Sequence, residues 1–307
     1  MKITYIDKPT YLPDWTIEKI NQIAEMKVYD DLPNETEAIR RLSNTDIAIV
    51  EWTTINKNMV DKIDGLKYLI AITTSFDYID VDALVAKGIH VSNCPTYSKQ
   101  SVAEHVFALM LSVNRKLALA DRTCREGKSH VYPPFLCTEL RGKTLGIVGL
   151  GQIGSVVSSI ARAFGMNVIG CSKNNNSVEG VTTVSMLEVF KSSDFISINL
   201  PHNEETINIV SKDLLGNMKA NAILVNTSRG NVVDEEALYQ LLKDKKIVGA
   251  GLDDLKNYKD NKILELDNVI FTPGSAWYSE EAREANMVEL IKNIKSFKEG
   301  ILVNLVN

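Results

Sequence analysis

Short apolar runs alternate with stretches of helical spacing from the first residues onward. Lys2–Asp7, Asp46–Glu51, Tyr68–Ile72 and His90–Ser92 read as strands, and Asp14–Met26, Asn34–Ser43 and Asp80–Lys87 read as the helices between them. Strands separated by helix-length segments imply βαβ units and a mostly parallel sheet. Val102, Val106, Leu109, Val113 and Leu117 recur at three- and four-residue steps, which predicts one long helix from Ser98 to about Leu119. Gly127–Leu140 is polar, holds Pro133–Pro134 and reads as a crossing loop. A second series then offers strands at Thr144–Gly149, Asn167–Cys171, Phe195–Ile198, Ala222–Asn226, Gly249–Asp253 and Val269–Phe271. Its helices are expected at Gly151–Phe164, Ser185–Lys191, Asp234–Lys243 and Ser279–Gly300. The fold class is α/β, with two doubly wound parallel-sheet domains and a cleft between them.

The length of 307 residues agrees with two domains. Hydrophobic residues at 45% and charged residues at 24% are ordinary globular usage and argue against disorder. The net charge of −5 gives no global attraction to nucleic acid or anionic lipid. A small-molecule substrate is the expected partner, with no nucleic acid and no membrane. No apolar run approaches the ~20 residues needed to span a bilayer. The amino terminus enters a strand pattern without a signal-peptide layout, so a cytoplasmic location is expected. Cys94, Cys124, Cys137 and Cys171 form no C-x-x-C pair and lie near no histidine cluster. Neither a metal site nor a disulfide framework is expected.

Gly149-Leu150-Gly151-Gln152-Ile153-Gly154 matches G-x-G-x-x-G between an apolar strand and an apolar-striped helix. The first glycine permits the tight turn, the second lets backbone approach a pyrophosphate, and the third lets helix and strand pack closely. The helix amino terminus offers N–H groups and a positive dipole end to phosphate. About 20 residues on, NAD-binding chains place Asp or Glu for the ribose diol. Here the strand end reads Cys171-Ser172-Lys173-Asn174, without a carboxylate. Ser172 and Asn174 can hydrogen-bond a 2′-phosphate and Lys173 can neutralise it. NADP is the favoured cofactor, with NAD as the alternative.

Further motifs follow in order: Asp77-Tyr78-Ile79-Asp80, Val102-Ala103-Glu104-His105, Leu140-Arg141-Gly142-Lys143-Thr144-Leu145-Gly146, Asn226-Thr227-Ser228-Arg229-Gly230, Gly249-Ala250-Gly251-Leu252-Asp253, and Thr272-Pro273 with Ala276-Trp277-Tyr278-Ser279. With the glycine loop, this series resembles the D-isomer-specific 2-hydroxyacid dehydrogenases, from about Ile70 to Ala282. The resemblance implies a discontinuous flavodoxin-like substrate domain, residues 1–97 and 277–307, around a Rossmann cofactor domain, residues 98–276. It implies that Arg229 clamps the substrate carboxylate and polarises its carbonyl, a bidentate task suited to a planar guanidinium. It places Thr227 and Ser228 along the nicotinamide ribose, Pro201 among the cofactor-binding residues near the nicotinamide, and Asp253 at the carboxamide or shaping that wall. It gives Thr73, Thr74, Ser75 and Phe76 to a turn whose N–H groups bind the substrate carboxylate. Thr73 and Ser75 stand where the family usually has glycine.

Two departures are larger. The family's acid/base histidine directly follows Thr-Pro, where this chain has Gly274, leaving a space beside Trp277. The glutamate that orients the histidine aligns with Tyr258, and neither Asp260 nor Glu265 restores the spacing. His90, His130 and His105 read as structural or solvated, and His202, after Leu200-Pro201, is the remaining candidate acid. The expectation is an NAD(P)H-dependent oxidoreductase passing hydride to a small carboxylate-bearing ketone or imine, with an atypical active site. The alternative is a weak or inactive nucleotide-sensing homologue. The resemblance also implies a homodimer paired through Ser98–Leu119 and Gly127–Leu140.

Overall fold

The computed structural model describes residues 1–174, 176–259 and 261–306, so Asp260 lies outside the described residues. The chain forms two compact units, Met1–Ser98 with Tyr278–Asn307, and Lys99–Trp277.

The first unit holds β1 (Ile3–Tyr5), β2 (Met26–Val28), β3 (Ile47–Val50), β4 (Tyr68–Ala71) and β5 (His90–Ser92). All pairings are parallel, in the order β2-β1-β3-β4-β5, which is the flavodoxin-like arrangement. Every residue of β3 and β4 is buried, as expected for central strands covered on both faces. The helices are α1 (Asp14–Asn21), α2 (Glu35–Leu42), α3 (Lys57–Lys62), α4 (Val81–Ala86) and the C-terminal helix Glu280–Lys298. Side chains of Asn34, Asn56, Asp80 and Ser279 cap four of these helices at their first turns. Met287, Leu290, Ile291 and Ile294 of the C-terminal helix pack with Ile3, Tyr5, Ile20 and Tyr68 on one face of the sheet. Phe297 stacks on Tyr68 with centroids 4.5 Å apart.

The helix expected over Asp14–Met26 stops at Asn21, and Met26–Val28 is an edge strand instead. Asn21 Oδ1 accepts from Met26 N at 2.9 Å, which turns the chain into β2. With three residues and an exposed Lys27, this strand carries almost no alternation.

The second unit begins with α5 (Lys99–Asn114) and α6 (Leu117–Arg125). The single helix expected over Ser98–Leu119 is therefore two. Lys116 lies in the left-handed region at φ 53° and ends the register. Asn114, buried, donates through Nδ2 to Thr138 O at 2.8 Å. The apolar stripe through Val113 is buried, whereas Leu117 beyond the break is exposed. The expected loop Gly127–Leu140 contains one 3-10 turn at Pro133–Phe135.

There follow β6 (Thr144–Val148), α7 (Gln152–Ala163), β7 (Asn167–Cys171), β8 (Thr182–Thr183), α8 (Met186–Ser192), β9 (Phe195–Ile198), α9 (Lys212–Leu215), β10 (Ile223–Asn226), α10 (Glu235–Lys243), β11 (Gly249–Leu252) and β12 (Val269–Phe271). The parallel sheet runs β12-β11-β10-β9-β6-β7-β8. This is the dinucleotide-binding order extended by one strand, with its switch point between β6 and β9.

Candidate active site

The glycine loop leaves β6 at that switch point. Gly149 has φ +100°, and a Cβ there would lie 2.3 Å from Asn199 O. A Cβ on Gly154 would lie 2.1 Å from Gly149 O. Both glycines are thus demanded by the protein's own packing. Gly151 is not, since a Cβ there meets nothing within 4 Å and its φ of −86° suits any residue. What a side chain at 151 would obstruct is the approach to the first turn of α7. Gly151 caps that helix with no side-chain hydrogen bond, and Gln152 is exposed while Ile153 is half-buried against the core. Open N–H groups and a positive dipole end therefore fit a pyrophosphate.

At the carboxyl end of β7, Ser172 Oγ accepts from Asn176 N at 2.9 Å. Lys173 Nζ pairs with Glu205 Oε2 at 2.5 Å, and both groups are largely exposed. Asn174 is exposed. Ser172, Lys173 and Asn174 thus lie together beyond β7, with Glu205 as a competing anion that the sequence did not single out.

The ends of β9 and β10 are knitted by Ser228, whose Oγ accepts from Leu200 N at 3.0 Å and donates to Ile198 O at 3.2 Å. Pro201 O accepts from Thr206 Oγ1 at 2.7 Å. Thr227 Oγ1 is a buried hydroxyl without a hydrogen-bond partner among the described residues, an orphaned polar atom at the carboxyl end of β10. Arg229 follows in extended backbone. Its carbonyl accepts from Asn226 Nδ2, while its side chain is exposed. Gly230 behind it admits no side chain, since a Cβ would lie 2.2 Å from Lys256 N. The segment is fixed in backbone, with an exposed side chain at Arg229.

Asp253, at the end of β11, is buried and serves as a clamp. Its Oδ1 accepts from Thr272 Oγ1 at 2.5 Å and Ser275 N at 3.0 Å, and its Oδ2 from Ala276 N at 3.0 Å. Its carbonyl accepts from Gly274 N at 2.6 Å. Thr272 spends its one hydroxyl hydrogen on Asp253, so His105 Nε2, 2.9 Å away, is the donor to Thr272 Oγ1. The carboxylate expected at a carboxamide is thus engaged by the Thr272–Ala276 loop. Thr272 and His105 belong to that clamp, which the sequence did not single out beyond packing for His105. Gly274 sits in this loop at φ +69°, where a side chain is strained whatever the space. Trp277 follows the clamp half-buried.

Other candidate acids lie in the same unit. Tyr258 is exposed, and partial desolvation together with Asp254 pushes its phenol upward, so it is a poorer proton donor than an ordinary tyrosine. His202 Nε2 lies 3.3 Å from Asn231 Nδ2. Among the described residues no group of three or more His, Cys, Asp or Glu could hold a metal ion.

In the first unit, Thr73–Phe76 is the turn after β4. Thr73 Oγ1 donates to Ser75 O at 2.5 Å and accepts from Tyr78 OH at 2.9 Å. Asn93 Nδ2 donates to Thr74 O at 2.7 Å. Carbonyl oxygens and hydroxyls hold this turn, Thr74 also bonds the Tyr97 hydroxyl through its backbone N–H and its side chain, and among the described residues the backbone N–H groups of Ser75 and Phe76 donate no hydrogen bond. Also at this carboxyl edge, Asp7 is fully buried and Glu51 is 6% exposed. Sequence reading passed over both. The available signal was their place one or two residues beyond an apolar strand.

A family model described as D-isomer specific 2-hydroxyacid dehydrogenase, NAD binding domain, matches residues 107–276. The glyoxylate reductase of Korarchaeum cryptofilum (strain OPF8) is 36% identical over 312 residues, covering 96% of this chain and 93% of that protein. Among solved structures, an acyclic imino acid reductase in complex with NADPH and D-arginine is 60% identical, with TM-score 0.98 and all of both chains covered. A D-lactate dehydrogenase from Aquifex aeolicus, complexed with NAD and lactic acid, is 30% identical at TM-score 0.89, covering 100% of this chain and 99% of that one. The chain belongs to the D-isomer specific 2-hydroxyacid dehydrogenase family and carries that family's NAD-binding domain.

Proposed function

We propose that this chain is an NADPH-dependent reductase of small carboxylate-bearing imines, with the matching ketones as lesser substrates. NADPH, when bound, supplies the hydride. The observation that carries the reading is Gly274, in a left-handed turn where the family's acid/base histidine is expected. A protonated imine already holds its proton, so hydride addition at carbon yields a neutral amine. A ketone instead yields an alkoxide that must be protonated, and a positioned acid typically contributes 10²–10⁴-fold. The likeness to an imino acid reductase supports the same choice. Arg229 holds the substrate carboxylate and the N–H groups of Ser75 and Phe76 supply a second anion-binding element. Thr227, Ser228 and Pro201 flank the nicotinamide ribose, with Asp253 and Trp277 shaping the wall beside Gly274. Ser172, Lys173 and Asn174 take the 2′-phosphate, and NAD is the weaker cofactor.

NADPH oxidation with glyoxylate, pyruvate and hydroxypyruvate, each with and without excess methylamine, tests the reading. At least a tenfold acceleration by amine is expected. Equal rates with and without amine would overturn the imine preference. Tight NADPH binding without any oxidation would favour a nucleotide-sensing role.

The assembly we propose is a homodimer. Leu117, Leu119, Val131, Tyr132 and Leu136 are exposed along α6 and the segment after it, a concentration of apolar surface that suits a second copy. Four free thiols agree with a reducing, cytoplasmic setting.

A further inference from the structure

At the carboxyl edge of the first unit's sheet two carboxylates are buried beyond neighbouring strands, one beyond β1 and one beyond β3. Asp7 is consumed internally. Its Oδ2 accepts from Glu51 N at 2.6 Å and Trp52 N at 2.9 Å, and its Oδ1 accepts from the Thr53 hydroxyl. It fixes the turn that carries Glu51. Glu51 is only half consumed. Its Oε2 accepts from Tyr5 OH at 2.6 Å and Thr10 N at 3.0 Å. Its Oε1 meets no donor among the described residues, and it is not one of the buried orphan atoms, so it is not sealed from solvent.

Burying a carboxylate is costly unless it is paired, yet neither Asp7 nor Glu51 has an ion-pair partner among the described residues. Arg41, the buried cation of this unit, donates to Ile6 O but is matched by Asp31 and Glu37. Among the described residues, hydrogen-bond donors and no cation therefore meet the two carboxyls at this edge. Glu51 follows β3, and β4 beside it leads into the Thr73–Phe76 turn. Tyr78, which braces that turn through Thr73, has its hydroxyl 3.5 Å from Val50 O. One carboxylate oxygen without a donor and the N–H groups of Ser75 and Phe76 thus share one sheet edge.

We propose that Glu51 is a specificity-determining residue whose Oε1 receives a nitrogen cation of the substrate. This rests on the reading that the substrate is a carboxylate-bearing imine. A held carboxylate with one open oxygen favours an N–H cation over an isosteric hydroxyl or methylene, because the cation adds ion-pair attraction to a hydrogen bond that the hydroxyl makes without it and the methylene cannot make. The chemistry is shared by two sources, the nitrogen on the α-carbon and a cationic side chain.

Calorimetric titration of the NADPH-loaded, full-length protein separates them. D-Alanine against D-lactate changes only the group on the α-carbon, and D-arginine against D-norvaline changes only the side-chain cation; the L-enantiomers are run alongside. In at least one pair the unmodified protein is expected to prefer the cationic member tenfold or more. Glu51→Gln is expected to bring that preference within threefold while leaving NADPH affinity unchanged. No preference in either pair, or a preference that persists in Glu51→Gln, would overturn the proposal. Tyr5→Phe leaves the charge and removes one brace, so it is expected to keep the preference within threefold. Losing it in a folded Tyr5→Phe protein would equally count against Glu51. Cation preference without amine-dependent NADPH oxidation would sink imine reduction and leave Glu51 standing, and the converse result would do the reverse.

Discussion

In the proposed site single side chains are expected to decide cofactor and proton chemistry. Ser172→Asp would place a carboxylate beside a 2′-phosphate and offer an acceptor to a bare ribose diol. NADPH affinity is expected to fall at least tenfold and the NADPH preference to reverse, as read by fluorescence titration of both nucleotides. In the proposed site Glu205 would act in the opposite sense, because a 2′-phosphate would compete with it for Lys173. An exposed pair is worth about 0–1 kcal/mol, so Glu205→Gln should tighten NADPH by no more than about fivefold. Tighter binding of NADH than NADPH by the unmodified protein would refute both expectations. Gly274 carries a different lesson. Its φ of +69° costs an L-residue about 1–2 kcal/mol. Gly274→His is therefore expected to lower thermal stability by that amount and to raise pyruvate reduction less than tenfold. A hundredfold gain would show that only the imidazole was missing.

At the scale of the element, the three glycines of one loop separate folding from binding. Gly154→Ala drives a methyl against Gly149 O, and overpacking of this kind costs about 1–3 kcal/mol. Gly151→Ala meets no protein atom, so its melting temperature is expected to stay within a degree or two while NADPH affinity drops at least tenfold. Equal effects of the two changes on stability would refute this division. Most elements were legible because their periodicity was strong. The β6–α7 unit and the central strands of both sheets carry long apolar runs, and capping residues such as Asn34 and Asp80 mark helix starts. What escaped was short or interrupted. β2 and β8 are edge strands of three and two residues with little burial contrast. The break at Lys116 turns on a left-handed residue, which no hydrophobic pattern encodes. The site divides the same way. A glycine loop advertises itself locally, whereas Arg229 acquires meaning only from its motif. Glu51 looks like a surface glutamate until the burial around it is known.

For the whole molecule, the exposed apolar side chains of α6 and the following segment predict a sedimenting species of twice the 34.1 kDa chain mass at micromolar concentration. Replacing Tyr132 and Leu136 together with serine should weaken it, and a purely monomeric unmodified protein would rule the dimer out. The discontinuous first unit also has a consequence for synthesis. Its sheet is complete by Ser98, yet the helix that covers one face begins only at Glu280. At a translation speed of about 5–20 residues per second, the roughly 180 intervening residues take on the order of 10–40 s. For that time Ile3, Tyr5 and Tyr68 lack the partners Leu290, Ile294 and Phe297. The nascent chain must wait with a greasy flank uncovered while the inserted unit is made and folds. Ribosome-stalled chains ending before position 280 should accordingly recruit holdase chaperones, and chains released past position 298 should shed them.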